Sequence, residues 1–148
     1  MNNNYIISKM TNCDIDEVIN LQLSSNKNIL SKASMAEDLS KDNSIYFVAK
    51  KDNVIIGYIA ANLLYDHIDI LGVLVDINYL KQGIASNLLT KLLDYAKEKN
   101  IQDIFLEVRI TNIAAQKLYE KFNFKKISVR KSYYTDNLED ALIYRLSI

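Results

Sequence analysis

A single carboxylate within an apolar run raises the first chemical question. Ile101 to Arg109 (Ile-Gln-Asp-Ile-Phe-Leu-Glu-Val-Arg) reads as a central strand buried on both faces, with Glu107 as its anomaly. Burying a carboxylate is costly unless it is paired, and burial raises its pKa toward neutrality. A base poised near neutral pH is what the deprotonation of an ammonium requires. Glu107 could equally be structural, paired with Arg109 two residues on and so on the same strand face. A second candidate is Asp76 to Ser86, where Gly83 and Ala85 open a long helix. Free backbone N–H groups at a helix start sit at the positive end of its dipole and suit a phosphate. The plainer reading is a turn at Gly83 and close packing at Ala85. The segment is neither a Walker A loop nor GxGxxG. Further on, Asn112 is a natural helix N-cap, and Tyr119 lies on the apolar stripe Ala115, Leu118, Tyr119, Phe122. Such a tyrosine is core, or offers its hydroxyl to a cleft at the helix end.

The elements that must position these groups follow from periodicity and turn chemistry. Tyr5–Lys9 reads as a first strand. Asn12 or Asp14 caps a helix carrying Ile15, Val18, Ile19 and Leu23, with Glu17 completing a capping box. Ser34 with Glu37 forms a second box, opening a short helix, and the stretch 24–32 between the two helices is polar and irregular. Strands at 45–49, 54–64 and 67–75 form an antiparallel meander, with Lys51-Asp52-Asn53 as the first turn. Ala85, Leu88, Leu89, Leu92 and Ala96 mark a helix, 101–108 a strand, and the stripe at 115–122 another helix. Strands at 125–134 and 141–146 finish the chain. The strand–helix–strand passage from Val75 to Val108 predicts a right-handed parallel crossover. The expected fold is α+β (mixed α/β), a central mixed but mostly antiparallel sheet with helices on both faces.

Composition narrows the field. The chain has 148 residues, enough for one domain (1–148) with a real core, and its 49% hydrophobic and 24% charged residues argue against disorder. Eighteen Lys+Arg balance eighteen Asp+Glu, unlike a general nucleic-acid binder. One cysteine, Cys13, excludes an intramolecular disulfide or a Cys-based zinc site, and one histidine, His67, excludes His-rich metal centres. A Ser-His-Asp triad would have to use His67. No apolar run reaches the ~18 residues of a membrane span. The start, Met-Asn-Asn-Asn-Tyr, is unlike a signal peptide, which makes the cytoplasm the expected location.

The loop Leu80-Lys81-Gln82-Gly83-Ile84-Ala85 resembles the coenzyme-A pyrophosphate loop of the GCN5-related N-acetyltransferases, usually Arg/Gln-x-x-Gly-x-Gly/Ala. Gly83 and Ala85 match, whereas Leu80 stands where Arg or Gln is usual. The strand and helix order is also that family's order. Leu106-Glu107-Val108-Arg109, Asn112, Ala115, Leu118-Tyr119-Glu120 and Phe122-Asn123-Phe124 look like one subgroup, the RimI-type ribosomal-protein alanine N-acetyltransferases. The likeness continues into Arg130, Tyr133-Tyr134 and Glu139-Asp140-Ala141. It implies acetyl transfer from acetyl-CoA to a primary amine, with Glu107 as general base and Tyr119 as general acid. It also implies cofactor contacts at Asn112, at Val73, Leu74 and Val75, and at Lys81, Gln82, Gly83, Ile84, Ala85 and Ser86, with no metal. The implied acceptor is the N-terminal alanine of a small-subunit ribosomal protein, with no direct nucleic-acid or membrane partner. The segment 26–32 departs from the subgroup, lacking its usual proline and tryptophan. Tyr133 and Tyr134 either wall the acceptor cleft or are strand residues, and the basic run Lys121, Lys125, Lys126, Arg130, Lys131 either meets a coenzyme phosphate or is a solvated face. The alternatives are a small-molecule amine acceptor and a non-catalytic acyl-CoA-binding module.

Overall fold

The computed structural model describes residues 4–148; Met1 to Asn3, part of the start read above as unlike a signal peptide, lie outside them. The elements are β1 (Ile6–Lys9), α1 (Ile15–Ser24), α2 (Lys32–Leu39), β2 (Ser44–Lys51), β3 (Val54–Leu64), β4 (His67–Val75), α3 (Ile84–Glu98), β5 (Asp103–Arg109), α4 (Ile113–Lys121), β6 (Lys125–Arg130) and β7 (Ala141–Ser147). One seven-stranded sheet has the order β1-β2-β3-β4-β5-β7-β6. Among the described residues only β4 and β5 pair in parallel, across the crossover that α3 supplies. The order and the mixed, mostly antiparallel sheet agree with the sequence expectation. No helix among the described residues is long and apolar enough to cross a membrane.

Two apolar layers hold the sheet. On one face Leu88, Leu89, Leu92 and Ala96 of α3 and Tyr119 of α4 pack on Phe47, Ile59, Ile68, Ile104, Leu106 and Val108. On the other, Val18 and Leu21 of α1 and Met35 of α2 pack on Tyr46, Val48, Tyr58, Ala60 and Leu74. That second layer reaches β4 and stops, so β5, β7 and β6 have one uncovered face.

This corrects the expectation for β5. Its residues alternate, with Ile104, Leu106 and Val108 buried and Glu107 exposed, because only one face is covered. Glu107 is therefore not a buried carboxylate. Nor is it paired with Arg109, whose ion pairs are with Asp136 and Glu139.

The helix starts also differ from the sequence expectation. Asp14 stands at the N-cap of α1 but turns its carboxylate back to the Thr11 N–H (2.9 Å) and to Lys50 (2.9 Å). Glu17 is not in a capping box; it accepts the Ile55 N–H at 2.6 Å and fastens α1 to β3. α2 begins earlier than expected because Ser31, not Ser34, is the cap, accepting the Ser34 N–H at 3.1 Å. β6 ends at Arg130, which leaves Tyr133 and Tyr134 in the connection to β7.

Candidate active site

The site begins with a defect in the sheet. β4 pairs with β5 only from His67↔Asp103 to Ile70↔Leu106. Opposite β3, the register jumps between Ala60↔Gly72 and Ala61↔Ile70, leaving Leu71 as an extra residue in β4. Such a bulge bends its strand and sharpens the local twist. Beyond it, β4 stays with β3 while β5 continues without a parallel partner, so the two strands part like a fork.

Backbone donors line one arm of the fork. The Asp76 N–H donates to the Ile56 carbonyl at 2.8 Å. Alternation along an antiparallel ladder then directs Leu74 toward β3 and the N–H groups of Val73 and Val75 away from it, into the fork. Of the three residues proposed from sequence there, Leu74 has its backbone committed to Tyr58, while Val73 and Val75 present free donors.

The arm leads into the turn before α3. Lys81 (φ 63°) and Gly83 (φ 79°) are both left-handed. A Cβ at Gly83 would meet nothing within 4 Å, so the glycine is there for its backbone angle rather than for space. The first intrahelical bond is Asn87 N–H to Gly83 carbonyl (2.9 Å), leaving the N–H groups of Ile84, Ala85 and Ser86 unpaired within the helix. A cavity of about 330 Å³ lies over these groups. It is lined by Val75, Lys81, Gly83, Ile84, Ala85 and Ser86, together with Tyr79, Leu80, Ala114, Lys117, Leu118 and Lys121. Gln82, Val73, Leu74 and Asn112 do not line it. Asn112 is the N-cap of α4, its Oδ1 accepting the Ala115 N–H at 3.2 Å.

The α4 wall was only partly foreseen. Ala114, Lys117, Leu118 and Lys121 follow i, i+3, i+4, i+7, a second stripe one residue out of phase with the apolar one. That phase was the available signal. Lys121 Nζ donates to Ser86 Oγ at 3.1 Å, so of the basic run this residue alone reaches the loop. Free amides, a helix N-terminus and cations from Lys81, Lys117 and Lys121 fit a polyphosphate-bearing ligand.

Glu107 stands just past the last β4–β5 pair, at the crotch of the fork, on the uncovered face. Its carboxylate faces the Tyr133 hydroxyl and raises that phenol's pKa, while burial, and then the Glu107 charge, raises the pKa of Tyr134. Asp69, missed in the sequence, stands beside it; burial, and then the Glu107 charge, raises the Asp69 pKa. Asp69 also lies 3.5 Å from His67 Nε2. Tyr119 lies on the other face of the sheet, 4% exposed and edge-on to Phe124 with ring centroids 5.4 Å apart. Burial alone pushes its phenol above the ordinary range, so it is protonated at neutral pH.

Residues 14–124 match the Acetyltransferase (GNAT) family. The chain belongs to that family. As a GNAT protein it is an acetyl-CoA-dependent N-acetyltransferase. It is 35% identical over 136 residues to a Bacillus subtilis (strain 168) protein named as a candidate ribosomal protein bS18-alanine N-acetyltransferase, covering 91% of this chain and 90% of that one. The crystal structure of the ribosomal-protein-S18-alanine N-acetyltransferase of Escherichia coli superposes with a TM-score of 0.87 at 26% identity, covering 97% of this chain and 94% of that one. A candidate streptothricin acetyltransferase of Bacillus anthracis, crystallised with acetyl coenzyme A, is 30% identical with a TM-score of 0.69, covering 76% and 67%.

Proposed function

We propose that this GNAT enzyme acetylates the α-amino group of a protein N-terminus, the best candidate being the N-terminal alanine of a small-subunit ribosomal protein, and works in the cytoplasm. The observation that carries the reading is the position of Glu107. It stands at the fork between β4 and β5, exposed to the uncovered face and grouped with Asp69, Tyr133 and Tyr134. Acetyl-CoA, when bound, supplies the thioester whose carbonyl carbon is attacked. The amides of Gln82 to Ser86, with Lys81, hold its phosphates, and Asn112 adds a cofactor contact from the start of α4. The Val73 and Val75 N–H groups point where they can stabilise negative charge on the carbonyl oxygen. Glu107, directly or through a water, accepts a proton from the acceptor ammonium. Tyr119, kept protonated by burial, donates one to the departing thiolate.

The α1–α2 segment is held in a fixed place beside β4 despite its unusual sequence. The buried Gln22 amide donates to the Leu30 carbonyl (2.8 Å) and accepts its N–H (3.2 Å), which holds the segment in place. Ile29 then packs onto Gly72 of β4, where a Cβ would lie 2.6 Å from its methyl carbon. The test is an acceptor screen at matched acetyl-CoA: peptides beginning with alanine against polyamines, amino sugars and free amino acids. Preferred turnover of the peptides supports the reading. Preference for a small amine assigns the same chemistry to a different acceptor, and turnover of none overturns both.

A further inference from the structure

The connection from β6 to β7, residues 131–140, has no regular structure yet is fastened at several points. Arg109 donates to Asp136 through Nη1 and Nη2 (3.2 and 3.0 Å), and through Nη1 to Asn137 (3.3 Å) and Glu139 (3.2 Å). Its guanidinium carbon lies 3.9 Å from the centre of the Tyr134 ring. The Glu139 side chain, 8% exposed, also accepts the Thr111 N–H at 2.8 Å and the Thr111 hydroxyl. The Tyr134 N–H donates to the Glu139 carbonyl at 3.1 Å, and Gln116 of α4 donates to the Arg109 carbonyl at 3.2 Å. An exposed ion pair alone contributes little, but a forked guanidinium that is stacked, shared among several acceptors and joined to a well-bonded carboxylate is a fixed joint.

What this joint holds is the stretch that carries Tyr133 and Tyr134 to Glu107. We infer that Arg109 is a positioning residue of the acceptor half: it clasps residues 131–140 to the end of β5 so that the two tyrosines form a fixed wall beside Glu107. Arg109 lies two residues beyond Glu107 on the same strand, so the wall and the base share one rigid support. The inference rests on the acceptor reading of Glu107 given above.

Steady-state kinetics of Arg109→Ala and Arg109→Lys test it, with the acetyl-CoA Kd and the thermal midpoint measured on the same preparations. The acceptor is whichever amine the unmodified protein turns over, so rejection of alanine peptides would overturn the acceptor assignment without touching the clasp. Arg109→Ala should raise the acceptor KM by about 10- to 100-fold, lower kcat less, and leave the acetyl-CoA Kd unchanged. Arg109→Lys keeps the charge but loses the fork and the stack, and should recover only part of the loss. If Arg109→Ala does not fold, the exposed pair Asp136→Asn with Thr111→Val removes two of the clasp's contacts and should raise the same KM by less. Wild-type acceptor KM in a folded Arg109→Ala protein, or in that pair, overturns the inference. So does a parallel loss of thermal midpoint, acetyl-CoA affinity and kcat, which would make Arg109 merely structural.

Discussion

The two halves of the proposed site are built from different materials. The coenzyme half is mostly backbone: the N–H groups of Val73 and Val75, the left-handed turn at Lys81 and Gly83, and the open end of α3. The acceptor half is mostly side chains, brought from β4 (Asp69), β5 (Glu107, Arg109) and the β6–β7 connection (Tyr133, Tyr134, Glu139). A backbone site needs only a short stretch of chain with the right turn and tolerates many side chains. A side-chain site exists only once distant segments have packed. Substitutions in the two halves should therefore separate cofactor affinity from turnover.

Glu107→Gln and Gly83→Asp test that separation from opposite sides and carry the largest effects. Glu107→Gln should lower turnover by ~10²–10⁴-fold while acetyl-CoA binding stays intact. Gly83→Asp puts a Cβ and a negative charge at a left-handed residue beside the phosphate site, and should chiefly weaken acetyl-CoA binding by calorimetry. Equal effects of both on Kd would merge the halves.

Tyr119→Phe sharpens the comparison at the border, since Tyr119 belongs to the core by packing and, in the mechanism proposed above, to the chemistry by its hydroxyl. Tyr144 donates its hydroxyl to Glu120 (2.9 Å), whereas burial alone sets the Tyr119 pKa. The variant should keep its thermal midpoint and coenzyme affinity and lose much of kcat, with kcat/KM for the acceptor falling alongside. A folded variant with wild-type kcat would leave Tyr119 to the core and make water the proton source.

These contrasts also explain what could be read from the chain. The turn before α3 was legible because Gly83, Ala85 and the helix after them are neighbours in sequence. Helix and strand order was legible from periodicity. The exposure of Glu107 was not, because it depends on α1 and α2 covering β2 to β4 and stopping short of β5. Nor was the partner of Arg109: Glu107 was two residues away, whereas Asp136 and Glu139 reach it only after the β6–β7 connection has folded back. The cap at Ser31 was missed because Ser34 with Glu37 offered an equally good local pattern three residues later.

Smaller effects probe how the acceptor half is held. Gly72→Ala forces Ile29 to move from a 2.6 Å approach, and should cost about 1–3 kcal/mol in chemical denaturation while raising the acceptor KM more than the acetyl-CoA Kd. Glu139 titrates at about 2, held below its ordinary 4.5 first by the Thr111 hydroxyl and N–H and then by Asn137 and Arg109. Because its folded pKa is depressed, its stabilising contribution is complete above pH 4.5 and is lost as the pH falls toward 2. Glu139→Gln should therefore flatten the acid limb of the stability curve over that window. An unchanged acid limb would remove Glu139 from the clasp.

The claim that Glu107 is the base is met most directly by the pH–rate profile of Glu107→Gln beside that of the unmodified enzyme, at saturating acetyl-CoA with one acceptor. The variant should be slow at neutral pH and recover partly as the pH rises, because a growing share of the acceptor amine is then already neutral and needs no base. Superimposable profiles with near-normal rates at neutral pH would contradict the account and leave Glu107 without a catalytic role.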